Sequence, residues 1–110
     1  MSQNEEKTTR EKLIEIFLNN PGVEFTLNEL LLRLNLKERD AKQLLNNINH
    51  VAKSIKRLTG GKAYLAMRPP TCLDCGYIFR DLESARMPSK CPRCKSERII
   101  PPSFILLRKE

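Results

Sequence analysis

What this chain lacks narrows its function before any motif is considered. No apolar run approaches the eighteen or so residues that would cross a membrane, and the opening stretch, residues 1–7, has no apolar core of the kind a secretory signal carries. A soluble, cytoplasmic protein is expected. Histidine occurs once, at His50, read as an exposed helical residue, and the sequence shows no Ser/His/acid grouping and no glycine-rich phosphate loop. The chain is therefore not expected to be an enzyme. Cysteine is absent outside a single motif.

That motif reads Cys72-Leu-Asp-Cys75-Gly76 and then Cys91-Pro92-Arg93-Cys94, with residues 76–90 between the two pairs. Two Cys-x-x-Cys pairs at this spacing bring four thiolates to the corners of one tetrahedron, the ligand set of a zinc ribbon. Gly76 suits the left-handed backbone that such a knuckle needs, and Pro92 stiffens the second one. Lys95 takes the place a glycine would have after Cys94, at a cost on the order of 1 kcal/mol if its backbone is left-handed. Paired disulfides would require an oxidising compartment, which nothing in the N-terminus announces. Ligand count admits iron as well as zinc. The surroundings favour zinc, because Arg80, Arg86, Lys90, Arg93, Lys95 and Arg98 crowd the motif and only Tyr77 and Phe79 supply aromatic cover. With four protein ligands the site is closed, so the expected cofactor is one structural Zn²⁺.

Charge is unevenly distributed. The formal total is +7, yet residues 1–36 hold four Lys/Arg against six Asp/Glu, residues 37–70 hold eight against two, and residues 71–110 hold eight against five. Zinc with four thiolates adds two negative charges to the last segment, so the positive face belongs to residues 37–70. Such a face attracts phosphate.

Two capping boxes organise the first half. Thr8-x-x-Glu11 opens a helix with Leu13, Ile14, Phe17 and Leu18 on one stripe, ended by Asn19-Asn20-Pro21-Gly22. A short extended piece follows at residues 23–25. Thr26-x-x-Glu29 opens a second helix with Leu27, Leu30, Leu31 and Leu34 apolar, and a turn at Leu34-Asn35-Leu36-Lys37 leads to a third whose apolar residues run from Leu44 to Leu58. This is helix-turn-helix geometry, with Asn35 suited to a left-handed cap. An ordinary three-helix bundle without a ligand is the plainer alternative. On the polar side the third helix presents Lys37, Arg39, Lys42, Gln43, Asn46, Asn47, His50 and Lys53. These are residue types that read a major groove or its phosphates, while Glu38 and Asp40 among them oppose non-specific attraction. Lys62 and Arg68 are expected to flank the groove.

The remainder supplies two strands, Lys62 to Arg68 and Ser103 to Arg108, with the cysteine motif bracketed between Pro69-Pro70 and Pro101-Pro102. Helix, strand, helix, helix, strand, wing, strand is the order of a winged helix, provided that the ribbon stands where the wing would turn. The chain resembles a family of archaeal predicted transcriptional regulators that join a winged helix-turn-helix to a rubredoxin-like zinc ribbon. The resemblance rests on the run from Phe25 to Leu58, on the two cysteine pairs with Gly76 and Pro92, and on the closing strand. It implies a cytoplasmic DNA-binding regulator.

The expected fold class is α+β: three helices and a small antiparallel sheet, with the ribbon inserted at the wing. Its divisions are a disordered tail over residues 1–7, a winged helix-turn-helix over 8–70, the ribbon over 71–100, and a C-terminal strand over 101–110 that returns to the sheet. The expected DNA-binding set is Lys37, Arg39, Lys42, Gln43, Asn46, Asn47, Lys53, Lys62 and Arg68, with double-stranded DNA as partner. An adaptor of the transcription machinery, holding RNA polymerase or another transcription protein and binding DNA weakly or not at all, is the alternative. A homodimer is compatible with either. No membrane partner is expected.

Overall fold

In the computed structural model, which describes residues 7–109, the chain enters its first helix through a satisfied capping box. The tail expected over residues 1–7 lies, for residues 1–6, outside the described residues. The Thr8 hydroxyl accepts from the Glu11 N–H at 3.1 Å and the Glu11 carboxylate accepts from the Thr8 N–H at 2.8 Å, which starts α1 (Thr9–Asn19). Asn20-Pro21-Gly22-Val23 then closes a tight turn, with Gly22 at φ 82° and the Val23 N–H on the Asn20 carbonyl. β1 (Glu24–Thr26) runs directly into a second capping box, Thr26 with Glu29, that opens α2 (Leu27–Arg33).

The turn out of α2 is a Schellman motif. Asn35 is left-handed at φ 58°, its N–H meets the Leu32 carbonyl, and the Leu36 N–H meets the Leu31 carbonyl at 2.8 Å. The third helix starts later than its polar pattern suggests. Asp40 accepts from the Lys37 N–H at 2.9 Å and folds Glu38–Asp40 into one 3-10 turn, so α3 is Ala41–Leu58 and leaves Lys37 and Arg39 outside it. It is unbroken at its asparagines. Gly60 (φ 63°) and Gly61 (φ 82°) cap it in a second Schellman turn through the Arg57 and Lys56 carbonyls. Positive φ at both positions explains the double glycine.

β2 (Ala63–Arg68) leaves toward the cysteine motif and β5 (Ser103–Arg108) comes back from it, paired antiparallel from Ala63↔Arg108 to Arg68↔Ser103. β5 also pairs with β1 through Phe25↔Phe104, so the sheet order is β1-β5-β2 with the last strand at the centre. One main core joins helices to sheet: Leu13, Phe17, Leu30, Leu44, Ile48, Val51 and Ile55 meet Phe25, Phe104 and Leu106, all buried. Full burial of each such side chain contributes roughly 1.5–3 kcal/mol. Phe17 and Phe25 pack edge to face at 5.8 Å, and the Arg33 guanidinium covers the outer side of Phe25 at 5.0 Å.

A polar staple closes the sheet where the cysteine segment leaves it. Arg68 on β2 donates to Glu24 on β1 through Nε at 2.7 Å and Nη2 at 3.1 Å, across the buried Ser103 of β5, whose hydroxyl also donates to Glu24. The Arg68 bonds first, then the Ser103 hydroxyl, hold the Glu24 carboxyl at about 2 against an ordinary value of 4.5. A carboxyl lowered by folding stabilises the fold above its unfolded value and loses that contribution as pH falls through the folded one. The melting-temperature gap between wild type and Glu24→Gln should therefore be full above about pH 5 and close toward about pH 2. A gap independent of pH over that window would show the staple to be inert. Comparing the two chains cancels the acid release of any metal from both.

Candidate functional site

The cysteine segment carries little regular structure. β3 (Thr71–Cys72) pairs with β4 (Ile99–Ile100), and between them the backbone is mostly irregular. The two knuckles repeat one another. Gly76 N–H meets the Cys72 carbonyl and Lys95 N–H the Cys91 carbonyl, both at 2.9 Å, while Cys72 N–H meets the Tyr77 carbonyl and Cys91 N–H the Ser96 carbonyl, both at 2.8 Å. Gly76 (φ 79°) and Lys95 (φ 67°) occupy equivalent left-handed positions, so the lysine bears a strain that the glycine does not.

The two turns converge their sulfurs. Cys72 Sγ lies 3.5 Å from Cys94 Sγ, Cys75 Sγ lies 3.6 Å from Cys91 Sγ, and all four fall within 4.8 Å of one another. Sulfurs about 2.3 Å from a common centre stand about 3.8 Å apart on a tetrahedron. A disulfide would need about 2.05 Å, and all four cysteines are free. Cys72 and Cys91 are buried with Ile99 against Tyr77 and Phe79, Cys75 is half-buried, and Cys94 opens to solvent. Burial opposes ionisation of Cys91, but the N–H groups of Cys94 and Arg93 and the neighbouring sulfurs outweigh it and bring the thiol down to about 7. At Cys94 the Ser96 N–H favours the thiolate, while desolvation and the three other sulfurs push it up to about 12. Four thiolates this close require a cation. Asp74 ties the knuckles together, accepting from Arg98 Nη1 at 3.1 Å and from the Ser96 hydroxyl.

The basic residues fall into separate groups. Lys42, Gln43, Asn46 and Lys53 are exposed along α3, with His50 on the same side. Asn47 turns toward α1, where its Oδ1 accepts from Arg10 Nε at 2.8 Å. Lys37 and Arg39 are exposed ahead of α3 in the 3-10 segment. Lys62 follows the other end of the helix, roughly 27 Å from its start for eighteen residues at 1.5 Å each. Arg68 is engaged with Glu24 rather than free beside a groove. The structure thus brings together Lys42, Gln43, Asn46 and Lys53, and sets Asn47, Lys62 and Arg68 apart from them.

A family model described as the PF0610 rubredoxin-like zinc beta-ribbon domain matches residues 69–109. The solution NMR structure of protein PF0610 from Pyrococcus furiosus is 31% identical, with a TM-score of 0.69 and coverage of 99% of this chain and 97% of that one. The chain belongs to the PF0610 family. No curated protein matches it. Its cysteine segment is a rubredoxin-like zinc ribbon, and Cys72, Cys75, Cys91 and Cys94 form the cluster suited to one structural Zn²⁺. The four ligands leave no position for water or substrate, so the ion shapes the ribbon. Among the described residues no helix is long and apolar enough to cross a membrane.

In this PF0610-family chain the ribbon is also tied to the helices by a contact that no sequence motif marks. The ribbon folds back on α3: Asn49 Nδ2 donates to the Ala85 carbonyl at 3.0 Å and Asn49 Oδ1 accepts from the Ala85 N–H at 2.7 Å, while the Ala85 side chain is buried in the main core. In the sequence Asn49 is one of several asparagines that weaken a helix. Only the tertiary path of the 77–90 loop distinguishes it from Asn46 and Asn47.

Proposed function

We propose that this protein is a cytoplasmic, double-stranded-DNA-binding transcriptional regulator. In this reading residues 8–70 with β5 form a winged helix-turn-helix, and the zinc ribbon stands at its wing as a structural module. The observation that carries it is the exposed face of α3. Lys42, Gln43, Asn46 and Lys53 share one side of an unbroken helix, and among the described residues none of them is in an ion pair. The Asn35 turn supports the reading by setting α3 against α2 as the second member of a helix pair, the member whose N-terminal half enters a major groove. Gln43 and Asn46 can pair with adenine, and Lys42 and Lys53 neutralise phosphate. Lys37 and Arg39 lie exposed just ahead of the helix and add positive charge to the same end. A closed metal site and a lone histidine leave no constellation for catalysis, so the reading includes no enzymatic activity.

Titration of the zinc-loaded chain with labelled duplex DNA at two salt concentrations tests this. Binding should weaken steeply with salt, and Gln43→Ala or Asn46→Ala should cost ~1–3 kcal/mol on a preferred site with little change on random DNA. Absence of measurable affinity at low salt would refute it. The adaptor reading then takes over, favoured by the exposed Leu32 of α2 and by Ile78 and Ile100 on the ribbon, which offer apolar contacts to a transcription protein such as RNA polymerase or to a second copy of the chain.

A further inference from the structure

Between α3 and the ribbon lies an open cleft of about 690 Å³. Lys42, Leu45 and Asn46 line its helix side, and Ala85, Arg86 and Met87 line its ribbon side. Nothing in the sequence relates Arg86 to the helix, since forty-three positions separate it from Lys42. Their juxtaposition is built. The Asn49 amide holds the backbone of Ala85 by both its N–H and its carbonyl, and burial of the Ala85 side chain in the core pins the loop one residue before Arg86. A loop held at one point by two short hydrogen bonds and a buried methyl group has little freedom to swing its next side chain away. Pro88 adds stiffness on the far side.

Both cations at this cleft are exposed, and among the described residues neither forms an ion pair. Glu83, the nearest carboxylate in the loop, engages neither of them. The two cations line one cleft, and an anion seated there and contacting both is held by two positive charges. A phosphodiester group suits that position, since its two free oxygens can accept from the guanidinium on one side and the ammonium on the other. A duplex laid along the exposed face of α3 carries its backbone past the flank on which the loop sits, because the flank is the edge of the same helix face. Lys90, four residues beyond Arg86, is a further exposed cation of the same loop.

We propose that the ribbon loop from Ala85 to Lys90 and the N-terminal half of α3 make one duplex-DNA surface, with a single backbone phosphate bridging Lys42 and Arg86. This rests on the DNA-binding reading above and extends it: the metal module is part of the nucleic-acid surface, and Asn49 is the positioning residue that attaches it.

The test uses the full zinc-loaded chain and a labelled duplex, with anisotropy titrations at several salt concentrations for wild type, Lys42→Ala, Arg86→Ala, Asn49→Ala and the double variants. Zinc content and circular dichroism establish that each is folded. Lys42→Ala and Arg86→Ala together should lower the slope of log affinity against log salt by about one, because the bridged phosphate is then no longer neutralised, which reduces the affinity loss between 50 and 200 mM salt by about 3.5-fold; either change alone leaves one cation on that phosphate and should lower the slope by less. The loss in the variant carrying both Lys42→Ala and Arg86→Ala should depart from the product of the two single losses, as expected for two groups coupled through one phosphate. Asn49→Ala should make the further change Arg86→Ala nearly silent, because a released loop no longer presents the guanidinium. Wild-type binding with a slope for the Lys42→Ala, Arg86→Ala double variant equal to that of wild type, or lowered by about two as for two separate phosphates, overturns the joint surface and leaves the DNA reading intact. So do strictly multiplicative losses, or an Arg86→Ala effect that persists in Asn49→Ala. No binding by the wild-type chain overturns the DNA reading itself, and the shared surface with it.

Discussion

Replacing Cys91 with serine is expected to abolish zinc binding, with one zinc per wild-type chain falling to none, and to unfold residues 71–100 while α1, α2 and α3 stay helical. Cys91 is fully buried, accepts from the Arg93 N–H at 3.3 Å and lies 3.6 Å from Cys75, so no neighbouring group can take its place as fourth ligand. The ribbon has no other source of stability of comparable size. Its own buried cluster is Cys72, Cys91 and Ile99, with Cys75, Tyr77 and Phe79 partly covered, and metal binding of this kind contributes an apparent ~10–16 kcal/mol at neutral pH. The helical part does not escape unchanged. β3 and β4 hold the end of β2 next to the start of β5, and without them the same two strands must be joined through a flexible loop, whose closure costs roughly 3 kcal/mol at this length. Far-ultraviolet circular dichroism should keep its helical signal and melt at a lower temperature, while amide resonances of residues 71–100 collapse to unfolded positions. Equimolar zinc in the variant, or preserved dispersion of those resonances, would contradict this account.

The parts of the fold that were legible in the sequence are those fixed by short-range chemistry. Thr8 with Glu11 and Thr26 with Glu29 announce two helix starts because the hydroxyl and the carboxylate each need the other's N–H, and both boxes are satisfied. Asn35 is legible for a similar reason, since few residues other than glycine tolerate a φ of 58°. The four cysteines converge as their spacing requires. Lys95 departs from the knuckle pattern in residue type and follows it in conformation.

What was not legible depends on contacts between segments far apart in the chain. Asp40 reaches back to the Lys37 N–H and delays the third helix, a choice between two cap arrangements that periodicity cannot separate. Arg68 has the composition of a phosphate contact and the position of a staple, because the partner that claims it, Glu24, is forty-four residues away. Asn47 and Asn49 look alike as weak helix formers, yet one answers Arg10 on α1 and the other secures the ribbon loop. Patterns of polarity identify a surface helix face. They do not say which of its polar residues a neighbouring segment has already engaged.

Ending the chain after Ile100 is expected to destroy cooperative folding of the helical part, a larger loss than removing the metal. Among the described residues β1 and β2 do not pair with each other and each pairs only with β5, so the truncation dissolves the three-stranded sheet rather than trimming its edge. Phe104 and Leu106, each 2% exposed, leave the core with it. Truncating a buried phenylalanine to alanine costs about 3–5 kcal/mol and a buried leucine about 2–5, and the two together match or exceed much of the 5–15 kcal/mol that holds an ordinary domain. Further losses accompany them. The Gly22 N–H loses the Leu106 carbonyl at 2.9 Å, and Glu24 loses the Ser103 hydroxyl that completes its staple with Arg68. A point substitution grades the effect: Phe104→Ala should lower stability by about 3–5 kcal/mol in urea titrations of the zinc-loaded chain, with the slope of the transition unchanged. If the truncated chain melts at the wild-type temperature, the helices and the ribbon are independent units, and the metal module has no mechanical hold on the helix face beside it.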